Sequence, residues 1–335
     1  MAEQKDTVTY GATIKLFGSE PDPPFEHPDR LARLWGRDWG CDNDVGQIRC
    51  VLMHRPGDEF SIIDPNKTLP EIGAYGDLEK GWYWQSRTIS PLAEMQAQHD
   101  ALADLLRAEG AEVVYLKGVG HGRFKSVYTR DSCIAIKGGM VVPRLAPRMR
   151  HGEEQAVTRT LAEAGAPILR TLHGRAMLEG GSFAWLNSRT VVVGRGIRNN
   201  DEGISQIAEV LARQGVEMIV VDLRAYDIHI DGHFLMIHPE LALVWTQGLP
   251  FTFLETLKRL GVRAIEMNER DNRWIVNGLA VRPGRVIMPE GISDETRGAL
   301  MREGVEILTL PYDAIHRNGG GIHCSTSPLI RDRVS

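Results

Sequence analysis

Five times along this chain a helix-like stretch ends at a glycine and an apolar, strand-like run follows at once. This recurrence limits the possible folds more than any other feature. The phrases are Glu109-Gly110-Ala-Glu-Val-Val-Tyr-Leu, Ala164-Gly165-Ala-Pro-Ile-Leu-Arg, Gln214-Gly215-Val-Glu-Met-Ile-Val-Val, Leu260-Gly261-Val-Arg-Ala-Ile-Glu and Glu303-Gly304-Val-Glu-Ile-Leu-Thr-Leu. Each glycine stands where a helix ends through a left-handed residue, a conformation that lacks a steric penalty only without a Cβ. Before it lies a 3.6-residue apolar stripe, clearest at Ile204, Ile207, Ala208 and Leu211 and looser at Leu92, Met95, Leu102 and Leu106.

Ahead of each stripe come two short apolar runs around a turn. Cys133–Lys137 and Met140–Pro143 flank Gly138-Gly139, and Ser182–Leu186 and Thr190–Val193 flank Asn187-Ser188. Phe234–Ile237 and Ala242–Trp245 flank Pro239-Glu240, while Ile275–Val281 and Val286–Met288 flank Pro283-Gly284. These read as hairpins. The unit is therefore strand–turn–strand–helix–strand, recurring roughly every 45–55 residues, a period found in propellers and solenoids. The first copy begins at Val45 and carries a long interruption, residues 61–91. The strand after Cys324 has no helix behind it, so its natural place is on the first unit. The expectation is an α/β fold, a five-unit closed α/β propeller with helices outside, since closure removes sheet edges.

Residues 1–44 read as an N-terminal appendage docked on the body through Trp35 and Trp39. Pro21, Pro23, Pro24 and Pro28 discourage regular structure there. Residues 45–335 then form a single catalytic domain. A net charge of −5 gives no electrostatic reason to expect nucleic acid or an anionic membrane as partner. The polar opening lacks the apolar core of a secretion signal, and no run reaches membrane-spanning length. Cys41, Cys50, Cys133 and Cys324 are scattered without a CxxC, which fits a reducing compartment and makes cytoplasmic the expected location.

A ring of repeats brings equivalent positions together on one axis. The inner strands open on Thr129-Arg130-Asp131, on Glu179-Gly180-Gly181, on His229-Ile230-Asp231, near Asn277, and on His323-Cys324. The converging set is Asp131, Glu179, His229, Asp231 and Cys324: three carboxylates, an imidazole and a thiol. The glycines Gly319, Gly320 and Gly321 bring backbone close to something just before Cys324, as a tight turn beside a ligand would. A thiol with an imidazole is a nucleophile with a proton shuttle. Carboxylates around it attract a cation. One Cys and one His are too few soft ligands for a dedicated metal site, whereas a planar guanidinium with five N–H donors suits carboxylates arranged around it.

Asp131 in Thr-Arg-Asp, Glu179 in Glu-Gly-Gly, His229 and Asp231 in His-Ile-Asp, and Cys324 in Gly-Gly-Gly-Ile-His-Cys resemble the guanidino-group-modifying superfamily. Its members include arginine deiminases, dimethylarginine dimethylaminohydrolases and amidinotransferases. The stretch from Trp39 to Gly57 also resembles the first strand of deiminase-type members, and the resemblance runs over residues 39–331. It implies a pentein-type propeller and a cysteine that attacks the guanidinium carbon, leaving an amidino-thioether that water or an amine resolves. Cys324 then matches the nucleophile and His229 the general acid/base. Glu179 and Asp131 match the carboxylates that grip the guanidinium, with Asp231 supporting that grip and the imidazole. No cofactor is required. A substrate carboxylate would be met by Arg198 and, more loosely, by Arg148 or Arg150.

The match departs from arginine deiminases in two places. There is no room for a helical insertion before Thr-Arg-Asp, and Ser182 follows Glu-Gly-Gly where those enzymes have aspartate. The expected activity is therefore hydrolysis of a C–N bond in a guanidine or amidine-like small molecule, with an arginine derivative as one candidate. Amidino transfer to an amine is the alternative with the same residues. A propeller that serves only as a binding platform predicts a degraded Cys–His–carboxylate set, and here the set is intact. Trp82-Tyr83-Trp84 in the interruption has two readings, a lid or rim over the site and a contact in a homo-oligomer.

Overall fold

The computed structural model describes Gly11, Leu16, residues 21–71 and residues 73–334. The polar opening and most of residues 1–20 of the expected appendage lie outside the described residues. The prolines that follow do not forbid regular structure. Helix α1 (Pro28–Trp35) starts on Pro28 itself, at the first helical position, where a missing N–H costs nothing and a fixed φ is an advantage. Trp39 is buried, and the backbone N–H groups of Gly40 and Cys41 donate to Leu329 and Ile136 carbonyls, which ties this segment to the body.

The body is α/β. Strand β1 (Ile48–Met53) is followed by the interruption, whose β2 (Thr68–Leu69), β3 (Ala74–Asp77) and β4 (Trp82–Trp84) form a small antiparallel sheet of their own. Then come α2 (Leu92–Ala108) and β5 (Glu112–Tyr115). The second unit is β6 (Ile134–Ile136), β7 (Gly139–Val142), α3 (Glu153–Ala164) and β8 (Ile168–Thr171). The third is β9 (Phe183–Asn187), β10 (Thr190–Arg195), α4 (Asp201–Arg213) and β11 (Glu217–Asp222). The fourth is β12 (Phe234–His238), β13 (Leu241–Val244), α5 (Phe251–Arg259) and β14 (Arg263–Glu266). The fifth is β15 (Leu279–Arg282), β16 (Arg285–Pro289), α6 (Asp294–Arg302) and β17 (Glu306–Leu310), after which α7 (Asp313–His316) leads to β18 (Ser327–Arg331).

In every unit the first two strands pair antiparallel and the third joins the middle one in parallel. The first unit obtains its antiparallel member from the other end of the chain. β18 lies against β1 with Ile48 opposite Arg331 and Leu52 opposite Ser327, while β5 runs parallel on the other side. The sheets are six separate three-stranded ones, and none is closed on itself.

Gly110, Gly165, Gly215, Gly261 and Gly304 have φ of 91°, 79°, 66°, 76° and 78°, the left-handed values that end each helix and turn the chain into the parallel strand. The expected first strand of the fifth unit is shorter than its apolar run, because Arg273–Ile275 forms a 3-10 turn and the strand begins only at Leu279. The apolar core falls into five clusters, and each of α2 to α6 supplies one of them: Leu102 and Leu106, Val157 and Leu161, Ile207 and Leu211, Phe253 and Leu257, and Leu300. Strands such as β10 are buried on both faces, which explains their unbroken apolar text. At about 1.5–3 kcal/mol per fully buried large aliphatic side chain, these clusters supply most of the driving force for folding.

Candidate active site

Each inner strand is preceded by a tight turn, and these turns deliver the polar residues. Asp131 lies in the 3-10 turn Thr129–Ser132, Glu179 caps Gly180–Ser182, Asp231 sits in Ile230–Gly232, and Asn277 follows Arg273–Ile275. Hydrogen bonds run from each turn to the next. Arg130 N donates to Cys324 O, Gly181 N to Asp131 Oδ1 at 3.3 Å, Ser182 Oγ to Ile228 O at 3.3 Å, Asn277 Nδ2 to Asp231 O at 3.0 Å, and His323 N to Asn277 O. The strand-start positions therefore meet in space although they are spread over nearly two hundred residues of sequence.

Cys324, His229 and Asp231 line one cavity of about 450 Å³. Asp131 joins Cys324 and His229 in a small adjoining recess. Glu179 is fully buried behind them, with Oε2 2.7 Å from His229 Nε2, while His229 Nδ1 is 3.6 Å from Asp131 Oδ1. Burial opposes a charge on this imidazole, but Asp131 and the Glu179 hydrogen bond outweigh it, and the net effect raises the His229 pKa. Glu179 is lowered in turn. Burial again acts against the charge, and the His229 hydrogen bond together with Arg198 and Arg150 overrides it.

Asp231 is held differently from the expectation. Its partner is His323, whose Nδ1 is 2.8 Å from Asp231 Oδ2, rather than His229. The same oxygen is 3.7 Å from Cys324 Sγ. Burial first, and then Asp231 and Asp131, push the Cys324 thiol well above the ordinary cysteine range, so it is a neutral thiol near pH 7. Its backbone N–H donates to Asn277 Oδ1 at 3.3 Å. Burial alone accounts for most of the rise at the other cysteines, to about 12 at Cys41 and Cys133 and about 11 at Cys50. They are inert small apolar residues.

Of the three glycines before Cys324, Gly320 and Gly321 are pressed against protein, while Gly319 also lines the cavity and the recess. A Cβ on Gly320 would overlap the Tyr128 ring, one on Gly321 would overlap the Asn277 amide, and Gly319 has φ of 105° beside Gln85. Gly181 is equally constrained, since a Cβ there would stand 2.6 Å from His229 Nδ1.

Among the residues expected at a substrate carboxylate, Arg198 lines the cavity but is paired with Glu179 at 3.1 Å and donates to Tyr83 Oη at 3.4 Å. Arg148 is exposed and lines neither the cavity nor the recess, so the structure does not bring it to the site. Two residues on, Arg150 is buried. It binds Glu153 through Nε at 3.0 Å and Nη2 at 2.8 Å, and also pairs with Asp131. It orders the carboxylates and has no donor pair to spare. Sequence reasoning also passed over Asn277 as a partner of Cys324, although its place at the start of the fifth inner strand was the available signal.

Trp82-Tyr83-Trp84 meets the cavity as part of its rim, through one of its three aromatics. As strand β4 it alternates, so Trp82 and Trp84 are buried against Phe124 while Tyr83 faces the cavity. Lys125 Nζ sits 4.6 Å from the centre of the Tyr83 ring.

A divalent ion would find Asp131, Glu179 and His229 with ligand atoms within 4.8 Å of one another. The two carboxylates already face the guanidinium groups of Arg150 and Arg198, and His229 is drawn towards protonation, which opposes coordination through its nitrogens. No helix among the described residues is long and apolar enough to cross a membrane.

Residues 83–331 match the family described as N,N dimethylarginine dimethylhydrolase, eukaryotic. The protein YkgA of Bacillus subtilis, uncharacterized, is 28% identical over 236 residues, covering 70% of this chain and 79% of its own. An arginine deiminase of Mycobacterium avium is 22% identical over 88% of this chain and 98% of its own. The solved structure of an amidinotransferase from Microseira wollei, in the saxitoxin biosynthetic pathway, superimposes with a TM-score of 0.69 at 16% identity, over 88% of this chain and 98% of that one. That likeness concerns the fold.

Proposed function

The chain belongs to the N,N dimethylarginine dimethylhydrolase family, within the guanidino-group-modifying superfamily. From that premise we propose that it is a cysteine hydrolase cleaving a C–N bond of a guanidino compound. The observation that carries this reading is the meeting of Cys324, His229 and a set of buried carboxylates at one cavity. We also take residues 45–335 as one catalytic domain, a closed five-unit α/β propeller with residues 1–44 appended. The turn-to-turn hydrogen bonds and the pairing of β18 with β1 support that arrangement.

A guanidinium entering the site brings positive charge to Asp131, Glu179 and Asp231. It thereby offsets the charges of Asp231 and Asp131, which together with burial hold the Cys324 thiol neutral. The thiol proton has Asp231 Oδ2 as its nearest acceptor, at 3.7 Å. Cys324 Sγ then bonds to the guanidinium carbon. As the tetrahedral adduct collapses, the C–N bond to the leaving amine breaks, and protonated His229 supplies the proton that amine needs. This leaves an amidino-thioether on Cys324. Neutral His229 next takes a proton from water, whose oxygen adds to the same carbon, and the thiolate departs. The products are one amine and one urea-type compound. Activation by the substrate keeps the thiol unreactive until a guanidinium is bound, which protects a buried cysteine from oxidation.

The test is turnover of a panel of guanidino compounds, followed by intact-protein mass spectrometry of the stalled enzyme. An adduct on Cys324 with the mass of the substrate less the departed amine, absent from Cys324→Ser, supports the proposal, and an adduct on any other cysteine sinks it. Turnover that requires an added amine, with no urea-type product in its absence, assigns the protein to amidino transfer instead.

A further inference from the structure

Lys125 is a buried amine that the proposed reaction does not use. It lies in the 3-10 turn Phe124–Val127, directly before the turn of Asp131. Its Nζ donates to Asn318 O, at the start of the loop that carries Cys324. Together with Cys324, His229 and Asp131 it lines the recess, whose volume of about 40 Å³ leaves little space between its walls.

Among the described residues no carboxylate pairs with Lys125. Burial first, and then the guanidinium groups of Arg150 and Arg198, push the amine well below the ordinary lysine range. Glu153 pulls the other way, but Arg150 already holds it. The ring faces of Tyr83 and Phe124, centred 4.6 and 5.4 Å from Nζ, also favour the ammonium form and are outweighed. A neutral amine still has an N–H for Asn318 and keeps its lone pair. Lys125 is therefore nucleophilic at a pH where a surface lysine is not.

An amidino-thioether is electrophilic at carbon, and amines as well as water resolve it. We infer that Lys125 is an internal acceptor of the amidino group, so that occasional turnovers end on the protein itself. This rests on the reading of Cys324 as the nucleophile. Lys125 Nζ bonds to the amidino carbon, the C–S bond breaks, and its electron pair returns to Cys324 Sγ. Nζ gives up one proton, which the thiolate takes up, so no oxidant, reductant or second substrate enters. The side chain becomes an amidino-lysine, whose guanidinium stays charged at every accessible pH. Fixed in the recess with Asp131, it competes with the guanidinium of the substrate, and the protein switches itself off.

The probe is S-methylisothiourea at pH 7.5, an amidine that loads Cys324 by losing methanethiol, whatever the natural substrate is. Peptide mapping by mass spectrometry follows the amidino increment on Cys324 and on every lysine. The capacity of Cys324 to take up fresh probe is measured in parallel. The increment should pass from Cys324 to Lys125, remain there after hydroxylamine has cleared the thioether, and lower the fresh uptake in step. Each pKa unit below a surface lysine gives about tenfold more neutral amine, so Lys125 should be labelled about tenfold or more over any other lysine. The labelled fraction should not depend on protein concentration, and a dependence would mean transfer between molecules and overturn the inference. Labelling of Lys125 that survives in Cys324→Ser also overturns it, because such labelling does not come through the thioether. An increment that stays on Cys324 until water removes it overturns the inference and leaves the hydrolase reading intact. No increment on Cys324 in rapidly quenched samples overturns both.

Discussion

The carboxylate oxygen of Asp231 that accepts from His323 Nδ1 at 2.8 Å is also 3.7 Å from Cys324 Sγ. A single oxygen thus faces an imidazole on one side and a thiol on the other. His323 is buried and held below the usual histidine range by that burial and by Arg130, so it donates as a neutral ring. The negative charge stays on Asp231 and falls on the thiol, raising the energy of the thiolate. Replacing Asp231 by Asn removes that charge at nearly constant shape. Alkylation of Cys324 by iodoacetamide at pH 7.5 should then be about tenfold faster in the ligand-free protein, since each pKa unit regained is a tenfold gain in thiolate. Turnover should fall, because the carboxylate is also a thiol-proton acceptor and part of the guanidinium grip. Unchanged alkylation would show that burial alone sets the thiol.

Glu179 and His229 form the second electrostatic pair, at 2.7 Å. Because the His229 pKa is raised above its ordinary 6.5, the stability it contributes is complete below that value. It is lost as pH rises through the higher folded value. Glu179, lowered, contributes stability above the usual carboxylate range that is lost as pH falls through its depressed value. Glu179→Gln should lower the His229 midpoint in an NMR titration and remove the fall in unfolding free energy just above pH 6.5. A midpoint that stays where it was would mean that Asp131 alone holds the proton on His229.

The alternation in β4 separates two kinds of aromatic. Trp84 is fully buried among Phe60 and Phe124, so Trp84→Ala should cost about 3–5 kcal/mol in urea unfolding. Tyr83→Phe keeps the ring over Lys125 and loses only a long hydrogen bond to Arg198, so stability should stay within about 1 kcal/mol. Any effect of Tyr83→Phe should appear in KM. A large stability loss from Tyr83→Phe would mean that the strand is not a support with one face to the site.

The strand-start residues Asp131, Glu179, His229, Asp231 and Cys324 could be read from the text because the same turn-then-strand grammar recurs, so a position in one unit predicts its counterparts. What a repeat cannot encode is which neighbour a side chain chooses. Asp231 has two histidines available, and only the packing selects His323. Arg148 and Arg150 occupy one three-residue turn, and two steps along it separate an exposed guanidinium from a buried one. Tyr83 lies in an interruption with no equivalent in the other units, so the repeat gave no hint of it. The helix-ending glycines were legible for the opposite reason, since their left-handed backbone is a local requirement that the residue type itself announces.

The last test concerns the chain's return to its first unit. β18 supplies the antiparallel partner of β1, and Arg331 Nη1 donates to Gly46 O at 2.7 Å and Ala280 O at 2.9 Å, joining the first and fifth units. Truncation after Arg317 removes all of this together with the nucleophile. It leaves β1 with an open edge and two buried carbonyls without donors, each a penalty of about 1–3 kcal/mol before the lost apolar burial of Leu329 and Ile330 is added. The truncated chain should therefore lack a cooperative thermal transition by circular dichroism. Cys324→Ser, which removes only the chemistry, should keep a transition close to that of the unsubstituted protein. A truncated chain that still melts cooperatively would show that the first unit is complete without its C-terminal strand, and that delivery of the nucleophile is not tied to formation of the fold.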